Sequence, residues 1–122
     1  MGKILQIRVS AWTYDEDEVL AAWPRLCGIV WPQLEQWGPT GMKHRVTELA
    51  GYLPDALRFS DLPEAEKKAL RPGADNVANI LEQMRSALAS WDPRKAHALS
   101  EVLVEALSEL ETEAARLLNE RA

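Results

Sequence analysis

Four glutamates, Glu101, Glu105, Glu109 and Glu113, recur every four residues near the end of the chain. On a helix that spacing brings like charges close, at a cost of roughly 0.2–0.5 kcal/mol per pair. From Ala96 to Ala122 there are six glutamates and only two arginines, Arg116 and Arg121. Such a row suits a surface that meets a basic partner, or a metal site. The plain alternative is a solvated face that keeps the protein in solution. Four residues overshoot one helical turn by about 40°. Glu101 and Glu113 therefore face different ways, which argues against one compact site.

Two histidines extend the question. His97 precedes Glu101 by four residues and His44 precedes Glu48 by four. A pair at that spacing can chelate a metal from one helix face. A di-iron bundle would need Glu-x-x-His instead, and no third ligand falls in phase. No metal and no cofactor is assigned. Lys43, His44 and Arg45 make the only dense basic triplet. They fall in the first turn of a helix expected from Thr40, where positive charge is disfavoured. They suit an anion such as phosphate, or an ion-paired contact with the glutamate row, within the chain or across a dimer. The pairing is preferred because it accounts for both anomalies together.

Cys27 is the sole cysteine, so no intrachain disulfide and no multi-cysteine zinc site can form. A nucleophilic thiol needs a base and an electropositive setting. Arg25 is near in sequence, but both histidines are far along the chain, and a buried, inert thiol is the expectation. No phosphate loop, serine elbow or zinc-spaced motif is present. Trp12, Trp23, Trp31, Trp37 and Trp91 supply the largest apolar bulk. Trp31 sits about 100° off the stripe that carries Trp23 and Trp37. It packs on the N-terminal strand or another subunit, or lines a pocket with Trp12 and Cys27.

The elements that must position these residues are mostly helical. Asp15 and Glu18 make a capping-box pattern. Val19, Trp23, Leu26, Val30, Leu34 and Trp37 then keep one helical phase through Pro24 and Pro32, which predicts a kinked or broken helix. A second helix carries Met42, Val46, Leu49 and Leu53 and is expected to stop at Pro54. Asp61 and Glu64 suggest another capping box and a short helix to about Leu70. Arg71-Pro72-Gly73 reads as a break. Val77, Ile80, Leu81, Met84, Leu88 and Trp91 form the face of a helix from near Asp75. Asp92-Pro93 opens the last helix, with Ala96, Leu99, Leu103, Ala106, Leu110 and Leu117 as its seam. The clearest strand is Lys3 to Trp12, where Leu5, Ile7, Val9 and Ala11 alternate with polar residues. Its partner is either Leu57 to Ser60 or the same strand of a second subunit.

The fold expected is thus mainly α: an irregular bundle of about five helices with one N-terminal β-strand, in a single domain over 1–122. At 122 residues, 47% apolar and 27% charged, the composition is that of an ordinary soluble globular protein. The net charge of −5 disfavours nucleic acid and anionic membranes as partners. No signal peptide or membrane span is seen, so the expected location is cytoplasmic. The function expected is a non-catalytic interaction or accessory protein, oligomeric, touching a protein partner or itself through the acidic last helix or the tryptophan-rich stretch. Two other readings stand beside it. One is a small-ligand protein or enzyme with a pocket at Trp31. The other is a helical transcription regulator with a basic face at Lys43, His44 and Arg45.

Overall fold

The computed structural model describes residues 14–37 and 44–121. The expected strand over Lys3 to Trp12, its pairing across a dimer, Trp12 and Lys43 lie outside the described residues. Among the described residues the protein is mainly helical: α1 (Glu16–Ala22), α2 (Pro24–Trp37), α3 (Val46–Phe59), α4 (Glu64–Ala89) and α5 (Pro93–Arg121). No helix among them is long and apolar enough to cross a membrane.

Asp15 caps α1, its carboxylate accepting the Glu18 backbone N–H at 2.8 Å. Trp23 then leaves the helical region, with φ −132° and ψ 60°. A residue before proline is pushed out of α conformation, and Pro24 becomes the first residue of α2, where its missing N–H is harmless. The chain thus breaks at the first Trp-Pro step and runs straight on through the second. The carbonyl released by Pro32 belongs to Gly28, an exposed residue, so water can satisfy it.

Two other prolines were expected to end helices and do not. α3 continues through Pro54 to Phe59, and α4 continues through Pro72. Leu57 to Ser60, a candidate strand in the sequence, is therefore the last turn and cap of α3. The reason is packing. Leu49, Ala50, Leu53, Ala56 and Leu57 are all buried on α3, and Leu70, Ala74, Val77, Ile80, Leu81 and Met84 on α4. Each apolar face is continuous across its proline, and its burial outweighs one lost hydrogen bond. Asp61 does not cap α4; Pro63 stands at that position with no side-chain bond. The helix expected from Thr40 starts at Val46, with Arg45 at its N-cap.

α4 and α5 form a long antiparallel-type hairpin, with α3 against α4 and α2 across α3 and α5. One hydrophobic cluster joins all five helices, from Val19 and Trp23 through Leu53, Leu81 and Met84 to Leu103, Leu107 and Ala114. At Gly73 the two long helices come so close that an added Cβ would stand 2.6 Å from a Leu110 methyl.

The corner between α4 and α5 corrects another expectation. Trp91 does not extend the buried face of α4. It is 80% exposed and has φ 55°, the left-handed region. The Asp92 N–H donates to the Ala87 carbonyl and the Trp91 N–H to that of Leu88. Those two bonds are a Schellman closure with Trp91 at the position that glycine prefers. The Asp92 carboxylate then accepts the Lys95 N–H at 3.2 Å and caps α5. Trp91→Gly is expected to raise unfolding stability by about 1 kcal/mol, since the left-handed conformation costs an L-residue that much and few contacts are lost. Urea denaturation measures it; a loss of stability would mean the indole is held by contacts.

Candidate functional site

The best-defined polar constellation lies where α5 meets the α1–α2 junction. α2 begins at Pro24, so two N–H groups of its first turn, Arg25 and Leu26, have no partner within the helix; the Cys27 N–H reaches the Trp23 carbonyl at 3.0 Å. Both orphans are taken by one carboxylate oxygen. Glu111 Oε1 accepts from Arg25 N at 3.0 Å and from Leu26 N at 3.1 Å. Its other oxygen, Oε2, accepts from Arg25 Nη1 at 3.3 Å. Glu111 is 8% exposed, so this is a buried carboxylate satisfied by three donors at the positive end of a helix. One turn earlier on α5, Ser108 Oγ accepts the buried Trp23 indole N–H at 3.2 Å. Tyr14 packs its ring on Trp23, centroids 5.2 Å apart.

Glu111 was not singled out in the sequence, because it stands out of phase with the glutamate row and beside Leu110. The signal that could have found it is the proline: Trp23-Pro24 starts a helix with no side chain able to cap it, so a carboxylate must come from elsewhere.

Cys27 is one turn into α2, buried, with its Sγ 3.7 Å from the Val19 carbonyl. Burial pushes the thiol from 9.0 to about 11; a hydrogen bond from Trp31 opposes the rise and the negative Glu111 adds to it. Both features leave it protonated and inert at neutral pH. Trp31 is also buried, stacked on His44 at 4.5 Å and 10° between ring planes. The His44 backbone N–H reaches Glu16 at 2.7 Å. The tryptophan placed off the main stripe thus closes the core against the residue that leads into α3. Trp31 and Cys27 line none of the three cavities described below.

On α5, Glu101, Glu105 and Glu109 are exposed. Glu101 pairs with His97 at 2.9 Å, the i, i+4 contact expected from their spacing. Glu113 pairs with Arg116, which holds its carboxyl below the usual value. No ion pair joins His44 or Arg45 to the row among the described residues. His44 and Glu48 do not form a pair either: Glu48 accepts from the Thr47 hydroxyl at 2.6 Å. No group of three His, Cys, Asp or Glu side chains with metal-holding geometry occurs among the described residues.

Three of the surface cavities are walled by described residues. One of about 490 Å³ lies along α2 and the α3–α4 link, walled by Gly28, Pro32, Gln33, Phe59 and Leu62. One of about 190 Å³ lies between α4 and α5 near Gly73 and Glu113. The third, about 270 Å³ between α3 and α4, is lined by Pro54, Leu57, Arg58, Lys67, Arg71, Ala74 and Asp75. It gathers three cations, which the sequence did not reveal because Arg58 belongs to a different helix from Lys67 and Arg71.

Comparison with protein-family models, with curated proteins and with solved structures returned no match. The functional reading therefore rests on the geometry of this chain.

The thiol gives a direct check. Because its folded pKa is raised above 9.0, the folded state holds the proton more tightly than the unfolded state. That contribution is complete below pH 9.0 and is lost as pH rises toward about 11. At pH 8 a disulfide reagent is expected to label native Cys27 only as fast as the protein opens, and the denatured chain at once. Stopped-flow labelling with and without denaturant measures both rates; equal rates would contradict the burial.

Proposed function

We propose that this protein is a non-catalytic helical interaction protein of the cytoplasm, and that it meets a basic protein partner through the outward face of α5. One observation supports this most. Glu105 and Glu109 are exposed on α5, Glu109 at the rim of the cavity between α4 and α5, and no described residue forms an ion pair with either. A helix normally relieves such a row with lysines at i, i+4. This one instead keeps a concentrated negative field, which steers and holds a positively charged surface. Trp91 stands exposed at the N-terminal end of the same helix, and exposed aromatic side chains are common contact anchors.

The other readings have less behind them. Trp31 and Cys27, two of the three residues assigned to a ligand pocket, are part of the core cluster. For a regulator, His44 packs on Trp31 and α3 begins only at Val46, which leaves Arg45 as the exposed cation of that triplet among the described residues.

The test is charge reversal. Glu105→Lys with Glu109→Lys is expected to weaken binding of a lysine-rich amphipathic peptide by about tenfold or more at low salt. Calorimetric titration reads the affinity. Sedimentation of the same pair reads mass; a dimer that dissociates on reversal would make the partner a second copy. Unchanged affinity together with unchanged mass would contradict the reading.

A further inference from the structure

The cleft between α3 and α4 carries a separate chemistry from the acidic face of α5. Its walls hold Arg58 from the end of α3 and Lys67 and Arg71 from the start of α4. In a chain of net charge −5 three cations converge on one cavity. Lys67 is the informative one. Its side chain is only 14% exposed. It stands in the opening turns of a 26-residue helix, where the dipole disfavours a cation. One of its three donors goes to the Arg58 carbonyl at 3.0 Å, and Glu64 is 3.9 Å away, outside hydrogen-bond reach. Donors remain for another acceptor. Arg71 is exposed and has no ion-pair partner among the described residues. Arg58 makes one long contact to Asp55 at 3.4 Å and lies 5.7 Å from the Phe59 ring centroid.

The acids around the cleft narrow the ligand. Glu64 and Asp55 lie on the solvent side, their side chains 89% and 61% exposed. Asp75 is in the wall itself. A bare anion would be repelled by Asp75, whereas a hydroxyl on the ligand would donate to it. Pro54, Leu57 and Ala74 supply the apolar remainder. The volume of about 270 Å³ lies just under the range of drug-sized ligand pockets, which run from roughly 300 Å³ upward, and so suits a smaller ligand. We infer that this cleft binds a small hydroxylated phosphate monoester, its phosphate held by Lys67 and Arg71 with Arg58 at the edge, and a hydroxyl of its body held by Asp75.

Glycerol phosphate, methyl phosphate and inorganic phosphate are the probes, titrated into the full chain while backbone amide resonances are followed. Saturable shifts confined to residues around 54–58 and 67–75 are expected, with glycerol phosphate tighter than the other two. Arg71→Ala is expected to weaken binding about tenfold or more, since it removes a charged hydrogen bond. Arg85→Ala, whose exposed side chain pairs with Glu82, is expected to leave it unchanged. Asp75→Ala is expected to tighten inorganic phosphate and to abolish the preference for glycerol phosphate over methyl phosphate, two changes that mere loss of structure would not produce. No saturable binding, or equal weakening by the Arg71 and Arg85 variants, would overturn the site. Binding in which Asp75→Ala leaves the three probes in the same order would overturn the hydroxylated ligand.

Discussion

A helix that begins with proline has no N–H to lose at that position, but it leaves the next two donors without partners, and they must be satisfied from outside. In this protein the Glu111 carboxylate does so, reaching from α5 to Arg25 and Leu26 of α2. The bond spans most of the chain: a residue near the C-terminus completes a helix near the N-terminus. Ser108, one turn away, takes the Trp23 indole N–H. Together these two side chains fasten the α1–α2 junction to the α4–α5 hairpin. Other features follow from that attachment. Trp23 and Leu26 are driven into the core, Cys27 is buried beside Val19, and Trp31 is turned to stack on His44.

Prolines shape the remaining helices in a graded way. At Trp23-Pro24 the chain breaks, although Val19, Trp23 and Leu26 are buried in one phase across it, and Glu111 takes the N–H groups of Arg25 and Leu26 that the break leaves over. At Pro32, Pro54 and Pro72 the helix runs through. The difference is not local. A single proline costs an interior helix about 3 kcal/mol, and burying two or three leucine-sized side chains offsets that. Pro72 lies beside Gly73, where α4 and α5 leave no room for a Cβ. The continuation of α4 through that point also brings Arg71 and Lys67 onto one wall with Arg58 of α3.

Helical periodicity makes much of this legible in the sequence. The mainly helical class, a count of about five helices, the Asp15 and Asp92 caps and most of the buried face of α2, α4 and α5 can be read from the sequence, although α4 was divided at Pro72. What was not legible has a common cause. Pro54 and Pro72 were read as stops by local rules, and burial overrode them; the helix expected from the Asp61–Glu64 pair does open at Glu64, with Pro63 instead of Asp61 at its cap. Trp91 was in phase with Leu88, but the α4–α5 corner needs a left-handed residue there, and phase carries no information about backbone handedness. Glu111 and the Arg58, Lys67, Arg71 cleft are tertiary: their members are far apart in sequence or out of phase with the pattern that drew attention, the row from Glu101 to Glu113. Arg71, expected at a break after a short helix to about Leu70, instead stands in the opening turns of α4 with Lys67.

The α1–α2 junction depends most on Glu111 acting as the cap of α2. Urea unfolding of Glu111→Ala, Glu111→Gln and Arg25→Ala separates its parts. Removing the carboxylate strands two N–H groups and is predicted to cost about 2–4 kcal/mol. The glutamine keeps an oxygen for both N–H groups and loses the ion pair, so it is predicted to cost clearly less. Arg25 is 40% exposed at its side chain, and its truncation is predicted to cost about 1 kcal/mol or below. A Glu111→Ala protein within about 0.5 kcal/mol of the parent would contradict the cap, and with it the attachment on which the fold is built.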